Sequence, residues 1–287
     1  MEVVNDSPKM LWLPVGVSET LYVGQLVKCI NEGAFGLDRA VGNVDFIHRG
    51  MTASIDVDGA SSSINNTLYG VVVGTNAKTP TFSTRTNSES ITYASPNAAT
   101  AETYAMTEGP WSKGDMVAMV KVALICPDTV LRSRLYQSSS VIGTALTVGT
   151  VTATSSGTAT VHSALGITGQ ASHSTVYFRS GTPAGQYRVA DVNASTSSEW
   201  DIPLRLPSSG DTYSGATLVR ATLRPNGFSR MQISTDGTWI DSGHVGTTAN
   251  NGFFAINVHS LDLSTAGNEY VDFTFDPTHL SAVGASS

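Results

Sequence analysis

Charged side chains are scarce in this chain. Only 14% of its 287 residues are Asp, Glu, Lys or Arg, whereas about 25% is usual in a soluble domain. The 16 basic residues form no cluster, the nearest approach being Arg132 and Arg134, and the formal net charge is −7. Affinity for a nucleic-acid backbone comes largely from clustered Lys and Arg, so we expect no nucleic-acid partner.

Long apolar runs are also missing. No window approaches the roughly 20 consecutive apolar residues that a membrane-spanning helix needs. Residues 1–6 do not combine a positive segment with an apolar one, as a signal peptide does. We therefore expect no membrane partner, and a protein that is made in a cytoplasm, where it stays soluble or is assembled into something larger.

Cysteine is nearly absent. The two cysteines, Cys29 and Cys126, both lie in apolar strand-like runs, which predicts buried thiols that act as small hydrophobic side chains. A disulfide between them needs Cα atoms within about 7 Å and stays an open alternative. Two cysteines supply neither a disulfide framework nor a zinc site.

The motifs of the common enzymes are missing too. The chain has no Gly-x-Ser-x-Gly, no Gly-x-Gly-x-x-Gly, no phosphate-binding loop and no His-Glu-x-x-His. Its six histidines lie far apart, and its carboxylates are scattered, mostly in turns. We predict that the chain is not an enzyme and has no catalytic residue, metal ligand or cofactor. A glycosidase carboxylate pair, which need not be adjacent in sequence, is the alternative.

The chain does contain patterns typical of strands. Its longest apolar segment, within residues 111–136, is apolar on both faces when it is read with a period of two. One face carries Met116, Ala118, Val120, Val122, Leu124 and Cys126, and the other carries Val117, Met119, Ala123 and Ile125. Only Lys121 is polar, a Gly-Asp turn signal precedes the run, and Pro127 ends it. The pattern favours a central strand over a helix.

Further strand patterns predict an all-β protein with two domains. Runs at residues 23–30 and 69–74 resemble the central segment and predict a small antiparallel β-barrel or sandwich. Between residues 138 and 230, short Thr- and Val-rich runs recur at roughly ten-residue spacing, which is typical of a second all-β domain. Strand patterns return after residue 231, so we predict a barrel domain of residues 21–137 plus 231–287, with residues 138–230 inserted. A linear two-domain chain is the alternative.

Two sets of residues, one apolar and one aromatic, are candidates for contacts with a partner. Residues 1–20 contain apolar residues punctuated by Pro and Gly, including Trp12 and Leu13, and this predicts an extended N-terminal arm, with an edge strand as the alternative. The second set could form a platform that stacks on sugars, although core or interface positions are more usual in an all-β protein. It comprises Trp200, Tyr213, Trp239 and Tyr187.

Several segments resemble those of accessory head proteins of tailed bacteriophages, in particular capsid decoration or cement proteins. They are Gly-Gln-Leu-Val at 24–27, Lys-Gly-Asp-Met-Val at 113–117, Pro-Asp-Thr-Val-Leu-Arg at 127–132 and Phe-Thr-Phe-Asp-Pro-Thr-His-Leu at 273–280. The middle segments at 177–181 and 185–189 are similar to those of uncharacterised phage structural proteins. The resemblance covers about half of the chain.

The resemblance implies a virion structural protein without enzymatic activity. Such a protein binds the outside of an icosahedral shell, commonly as a trimer, and bridges subunits of the major capsid protein. Its expected location is the capsid exterior, after assembly in the host cytoplasm. Trp12 and Leu13 are the candidate capsid-binding residues. The alternatives are another virion component, such as a tail, head-fibre or receptor- or glycan-binding protein, and a hydrolase.

Overall fold

The computed structural model describes residues 1–5, 8–14, 20–30, 52–54, 68–77, 81–82, 89–92, 119–136, 146, 148–155, 158–162, 174–192, 199–203, 215–233, 238–245 and 253–280. Within these ranges, every regular element is a β-strand except for one 3₁₀ turn at Pro277–His279. The all-β prediction is therefore confirmed.

The described ranges contain twenty strands. The first ten are β1 (Glu2–Val3), β2 (Met10–Pro14), β3 (Thr20–Tyr22), β4 (Leu26–Ile30), β5 (Thr52–Ser54), β6 (Leu68–Thr75), β7 (Thr81–Phe82), β8 (Glu89–Thr92), β9 (Met119–Leu124) and β10 (Leu131–Tyr136). The others are β11 (Val148–Ser155), β12 (Thr158–His162), β13 (Ser174–Phe178), β14 (Tyr187–Val192), β15 (Glu199–Pro203), β16 (Thr217–Ala221), β17 (Gly227–Ile233), β18 (Ile240–Val245), β19 (Phe253–Asp262) and β20 (Tyr270–Phe275).

The chain divides into two compact units. Unit 1 comprises Met1–Leu131, Thr235–Thr238 and Phe275–Ser287, and unit 2 comprises Arg132–Ser234 and Trp239–Thr274. Unit 2 thus holds the residues predicted to form the insertion, together with strands that the sequence patterns placed in the first barrel. The arrangement of arm, barrel and inserted domain stays a prediction.

Unit 1 is built on an antiparallel five-stranded sheet in the order β2-β9-β6-β4-β5. Its two outer strands, β2 and β5, approach within 8 Å between Cα atoms, so the sheet curls, although no hydrogen-bonded pairing joins these strands in the described part of the chain. A smaller sheet in the order β3-β8-β7 accompanies it. The sheet of this unit is antiparallel and curled, and its closure into the predicted small barrel or sandwich stays a prediction.

Strand β9 confirms the prediction of a central strand. It lies between β2 and β6, and every residue in it is buried except Lys121, which is half-buried. Its neighbour β6 approaches closely at Gly70, where an added Cβ would lie 2.5 Å from the carbonyl oxygen of Ala123. Close packing on both faces explains the continuous apolar pattern. The first residues of the predicted strand, 116–118, lie outside the described ranges.

Unit 2 contains a closed barrel of six strands in the order β11-β12-β15-β14-β13-β16. Each of these strands pairs with two antiparallel neighbours, and β16 returns to β11. All six fall within the Thr- and Val-rich stretch for which a second all-β arrangement was predicted. Because the sheet closes on itself, it has no open edge.

The remaining strands of unit 2 form a sheet in the order β10-β18-β17-β19-β20, in which β10 also pairs with β20. Strands β10 and β18 are parallel, while β17 is antiparallel to both β18 and β19. Its core is formed by large apolar side chains that are almost completely buried, namely Met231, Trp239, Ile240, Phe254, Ile256, Val271 and Phe273. In β20, Val271 and Phe273 are buried on either side of half-buried Asp272, and Thr274 is buried as well.

Candidate binding surface

The predicted capsid-binding residues lie on strand β2, which is an edge strand of the sheet of unit 1. Trp12 lies opposite Lys121 of β9, and Leu13 lies opposite Val120. Met10–Pro14 therefore forms the edge strand that was the alternative to an extended arm. Trp12 and Leu13, for which the sequence patterns indicated no strand, therefore lie in strand β2.

The alternation of a strand separates the roles of these two residues. Leu13 is only 4% exposed and belongs to the core of unit 1, whereas Trp12 is half-buried. A core leucine contributes to binding only through the fold, because its side chain does not reach the surface. Capsid binding by either residue stays a prediction.

The exposed apolar side chains of unit 1 lie just before β2 and at its start. Val4 is 41% exposed and Met10 is 42% exposed, and in the described part of unit 1 they are the only large hydrophobic residues that are this open. Both lie along residues 123–130, since the Val4 N–H donates to the Val130 carbonyl at 3.0 Å and Met10 pairs with Ala123. Sequence patterning did not single out either residue.

The turn after β9 adds two more exposed side chains. Cys126 and Pro127 are both exposed, and Cys126 is a free thiol. The prediction that this thiol is buried was wrong, because β9 ends at Leu124 and the chain turns outward before Pro127. The turn is closed by Thr129, whose N–H donates to the Cys126 carbonyl at 3.0 Å and whose hydroxyl accepts from the Cys126 N–H at 2.8 Å. The side chain of Cys29 lies outside the described part of the chain.

We call Val4, Met10, Cys126 and Pro127 the N-terminal flank. Its backbone is fixed by the Asn5 side chain, which donates to the Asp128 carbonyl at 2.8 Å and accepts from the Val130 N–H at 2.6 Å. Exposed Lys9 and Asp128 adjoin it in sequence and carry opposite charges. Exposed apolar side chains with charged residues next to them in sequence make the flank a candidate protein interface.

Residues for other kinds of chemistry do not converge in the described ranges. No group of three or more His, Cys, Asp and Glu that could hold a metal ion occurs among these residues. None of the helical structure in them is long and apolar enough to cross a membrane. Of the histidines, the ring of His259 lies 3.3 Å from the Thr274 hydroxyl, and His279 is buried in the 3₁₀ turn.

The structure describes two of the four side chains of the predicted aromatic platform, Trp239 and Tyr187, and of these two only Tyr187 is exposed. Trp239 is 1% exposed and packs edge-on against Tyr136 in the core of unit 2, with ring centroids 5.7 Å apart. Tyr187 is 38% exposed. The side chains of Trp200 and Tyr213 lie outside the described residues. Sequence reasoning missed Tyr177, which lies opposite Tyr187 on the β13–β14 hairpin, and the signal that could have found it is the Gly- and Pro-containing turn at residues 181–185 between these two strands.

Comparison of the chain with protein-family models, with curated proteins and with solved structures finds no match. The function proposed below therefore depends on the residues of this chain and on the resemblance of its sequence segments.

Proposed function

We propose that this chain is a virion structural protein, a decoration or cement protein that binds the exterior of an icosahedral phage head. It bridges neighbouring subunits of the major capsid protein and acts as a homo-oligomer, with a trimer expected. A protein that binds the assembled shell and not the free subunits stabilises the shell by mass action. No catalysis is required.

The observation that carries this proposal is the N-terminal flank. Val4 is 41% exposed and Met10 is 42% exposed in the single chain. A protein surface that covers these side chains removes their apolar area from water, and each Å² buried contributes about 25 cal/mol to the free energy of binding. The contact is small for one chain. In a trimer three copies engage one shell together, and avidity then multiplies a weak contact.

The low charge of the chain fits the same role. With 14% charged residues and a net charge of −7, it would be repelled by packaged DNA and would face few desolvation costs against a protein shell. Another virion component, such as a tail, head-fibre or receptor- or glycan-binding protein, is the alternative, and it predicts self-assembly or binding to glycans of the host surface.

Cosedimentation with purified shells that lack this chain tests the proposal. We expect saturable binding to shells, no binding to free capsid subunits, and a trimer by light scattering. The variant Val4→Ser/Met10→Ser should bind shells about tenfold or more weakly, because two apolar contacts of about 1 kcal/mol each are lost. Its matched control is Val148→Ser/Phe228→Ser, which changes two residues of unit 2 that are 45% and 55% exposed. Equal binding by both variants would contradict the assignment of the flank.

Cys126 supplies a second readout that needs no mutation. Because its thiol is exposed within the flank, we expect a maleimide to modify it in the free protein and to modify it much more slowly on the shell. Peptide mass spectrometry separates it from Cys29. Unchanged modification of a shell-bound chain would place the contact elsewhere while leaving shell binding itself intact.

A further inference from the structure

A row of aromatic and charged side chains runs along unit 2. We call Tyr177, Tyr187, Asp262, Tyr270 and Arg132 the tyrosine strip. Successive members of the strip are in contact, and all of them belong to unit 2. The N-terminal flank lies in unit 1 and contains none of these residues.

The two tyrosines at one end of the strip form a tilted pair. Tyr177 and Tyr187 are cross-strand partners on the β13–β14 hairpin, and their ring centroids are 4.6 Å apart with planes at 51°. Tyr187 is 38% exposed and Tyr177 is half-buried. Part of the ring surface of this pair is therefore open to solvent.

The ring of Tyr187 is held rigidly by its hydroxyl group. This oxygen accepts the Leu263 N–H at 3.0 Å and lies 3.5 Å from a carboxylate oxygen of Asp262. Burial, followed by the nearby negative charge of Asp262, raises the pKa of the phenol and keeps it protonated. A ring fixed in this way loses little conformational entropy when a ligand stacks on it.

The carboxylate of Asp262 is ionised and partly accessible. Hydrogen bonds from the hydroxyl and the backbone N–H of Ser264 hold the pKa of Asp262 below its usual range, and the hydroxyl of Tyr270 also hydrogen-bonds to it. Ser264 is itself exposed. This part of the strip presents a strong hydrogen-bond acceptor beside a hydroxyl group.

The other end of the strip is a stacked ion pair. The guanidinium of Arg132 lies 4.2 Å from the centre of the Tyr270 ring and donates to both carboxylate oxygens of Asp272, at 2.7 and 2.9 Å. The Ser260 hydroxyl donates to the same carboxylate at 2.7 Å. Beyond the tyrosine pair, charged groups and an aromatic ring therefore alternate from Asp262 through Tyr270 to Arg132.

We propose that the tyrosine strip is a binding site for a neutral saccharide. The C–H-rich face of a pyranose packs on the exposed tyrosine rings, because such rings give a large contact area with few rotors. Its hydroxyl groups donate to the Asp262 carboxylate and exchange hydrogen bonds with Ser264. The carboxylate of Asp262 beside the exposed tyrosine ring repels an anionic sugar.

Saturation-transfer difference NMR on the full chain tests this site. The probes are methyl glucoside, methyl galactoside and N-acetylglucosamine, with sialyllactose as the anionic comparison. We expect transfer to ring C–H protons of at least one neutral probe, and less transfer to sialyllactose. Tyr187→Ala should weaken that binding about tenfold, because it removes the more exposed ring. Phe228→Ala is the matched control, since Phe228 is an even more exposed aromatic residue of unit 2, at 55%, and lies outside the strip.

A second pair of variants separates binding from folding. Asp262→Asn removes the charged acceptor but leaves the ring pair in place, and we expect weaker transfer from a chain whose circular dichroism is unchanged. Tyr187→Phe keeps the ring and should retain most of the binding. Absence of transfer to every neutral probe, or equal loss in Tyr187→Ala and Phe228→Ala, would overturn the proposal. Shell binding should be unaffected by all of these variants, so failure here leaves the proposed function untouched.

Discussion

Replacing Arg179 with methionine should destabilise unit 2 more than replacing its acidic partner. The guanidinium of Arg179 forms an ion pair with Glu269 and also donates to the Leu263 carbonyl at 3.0 Å. Arg179 directly follows β13 of the closed barrel, while Leu263 and Glu269 lie between β19 and β20 of the other sheet. The pair therefore joins the two parts of unit 2.

The magnitude follows from how deeply each partner is buried. The side chain of Glu269 is only 2% exposed and that of Arg179 is 15% exposed. Arg179→Met leaves a carboxylate buried without its cation, and such a loss costs about 3–5 kcal/mol. Glu269→Gln leaves the better solvated partner, which still has the Leu263 carbonyl, so we expect about 1–3 kcal/mol.

The double variant distinguishes this reasoning from a simple packing defect. In Arg179→Met/Glu269→Gln neither charge is left buried alone, and we expect a loss at least 2 kcal/mol smaller than the sum of the two single losses, roughly the cost of one uncompensated buried charge. Urea unfolding supplies the free energies. Hydrogen exchange of peptides covering residues 262–270 locates the loss.

The measurement has a clear refuting result. The ion pair does not hold the parts of unit 2 together if the free energy of unfolding of Arg179→Met lies within about 0.5 kcal/mol of that of the unaltered chain. The same conclusion follows if the losses in the two single variants add up to the loss in the double variant. Arg188 provides the control, since among the described residues its guanidinium donates to two groups of its own hairpin, the Tyr187 carbonyl and the Gln186 side chain. Arg188→Met should cost less than about 1 kcal/mol.

Three shorter predictions follow from packing and charge. Gly70→Ala should lower the free energy of unfolding by about 1–3 kcal/mol because the new Cβ clashes with strand β9. Gly74→Ala on the same strand should be nearly neutral, since the nearest atom to its new Cβ is 3.9 Å away. Thermal unfolding compares the two variants. Leu13→Ala should cost about 2–5 kcal/mol in urea unfolding, because Leu13 is a core residue. Hydrogen bonds from Arg132 lower the pKa of Asp272, so the ionised carboxylate stabilises the fold above about pH 4. This stabilisation, about 0.5–1 kcal/mol, is lost as the pH falls further. Asp272→Asn should remove that part of the acid sensitivity of unfolding.

Hydrophobic periodicity predicted the strands whose environment is simplest. Strand β9 is buried on both faces, since every residue in it except Lys121 is buried, and this leaves a continuous apolar run in the sequence. Such signals are local, so one sequence is enough to show them.

The pairing of strands could not be predicted in the same way. Closure of β16 onto β11 and the parallel pairing of β10 with β18 join segments that are distant in the chain, and nothing in a local pattern records the partner. Exposure at strand ends was missed for a related reason. Cys126 continues the apolar run of β9, yet the turn at Pro127 carries it outward.

The candidate sites show the same limit. Trp12 and Leu13 were chosen as apolar residues, but which of two neighbouring side chains reaches the surface depends on the register of β2 against β9. The tyrosine strip combines residues from five separate strands, β10, β13, β14, β19 and β20, and the sequence singled out only Tyr187 among its aromatic residues. Contacts of this kind become visible only when the strands are placed.

Cryo-electron microscopy of the particle that carries this protein tests the central claim most directly. The account predicts density for the chain on the outer face of the icosahedral shell, in trimers that bridge capsid subunits, with Val4 and Met10 turned toward the shell. Density in the tail, in a fibre or on the inner face of the shell would contradict it.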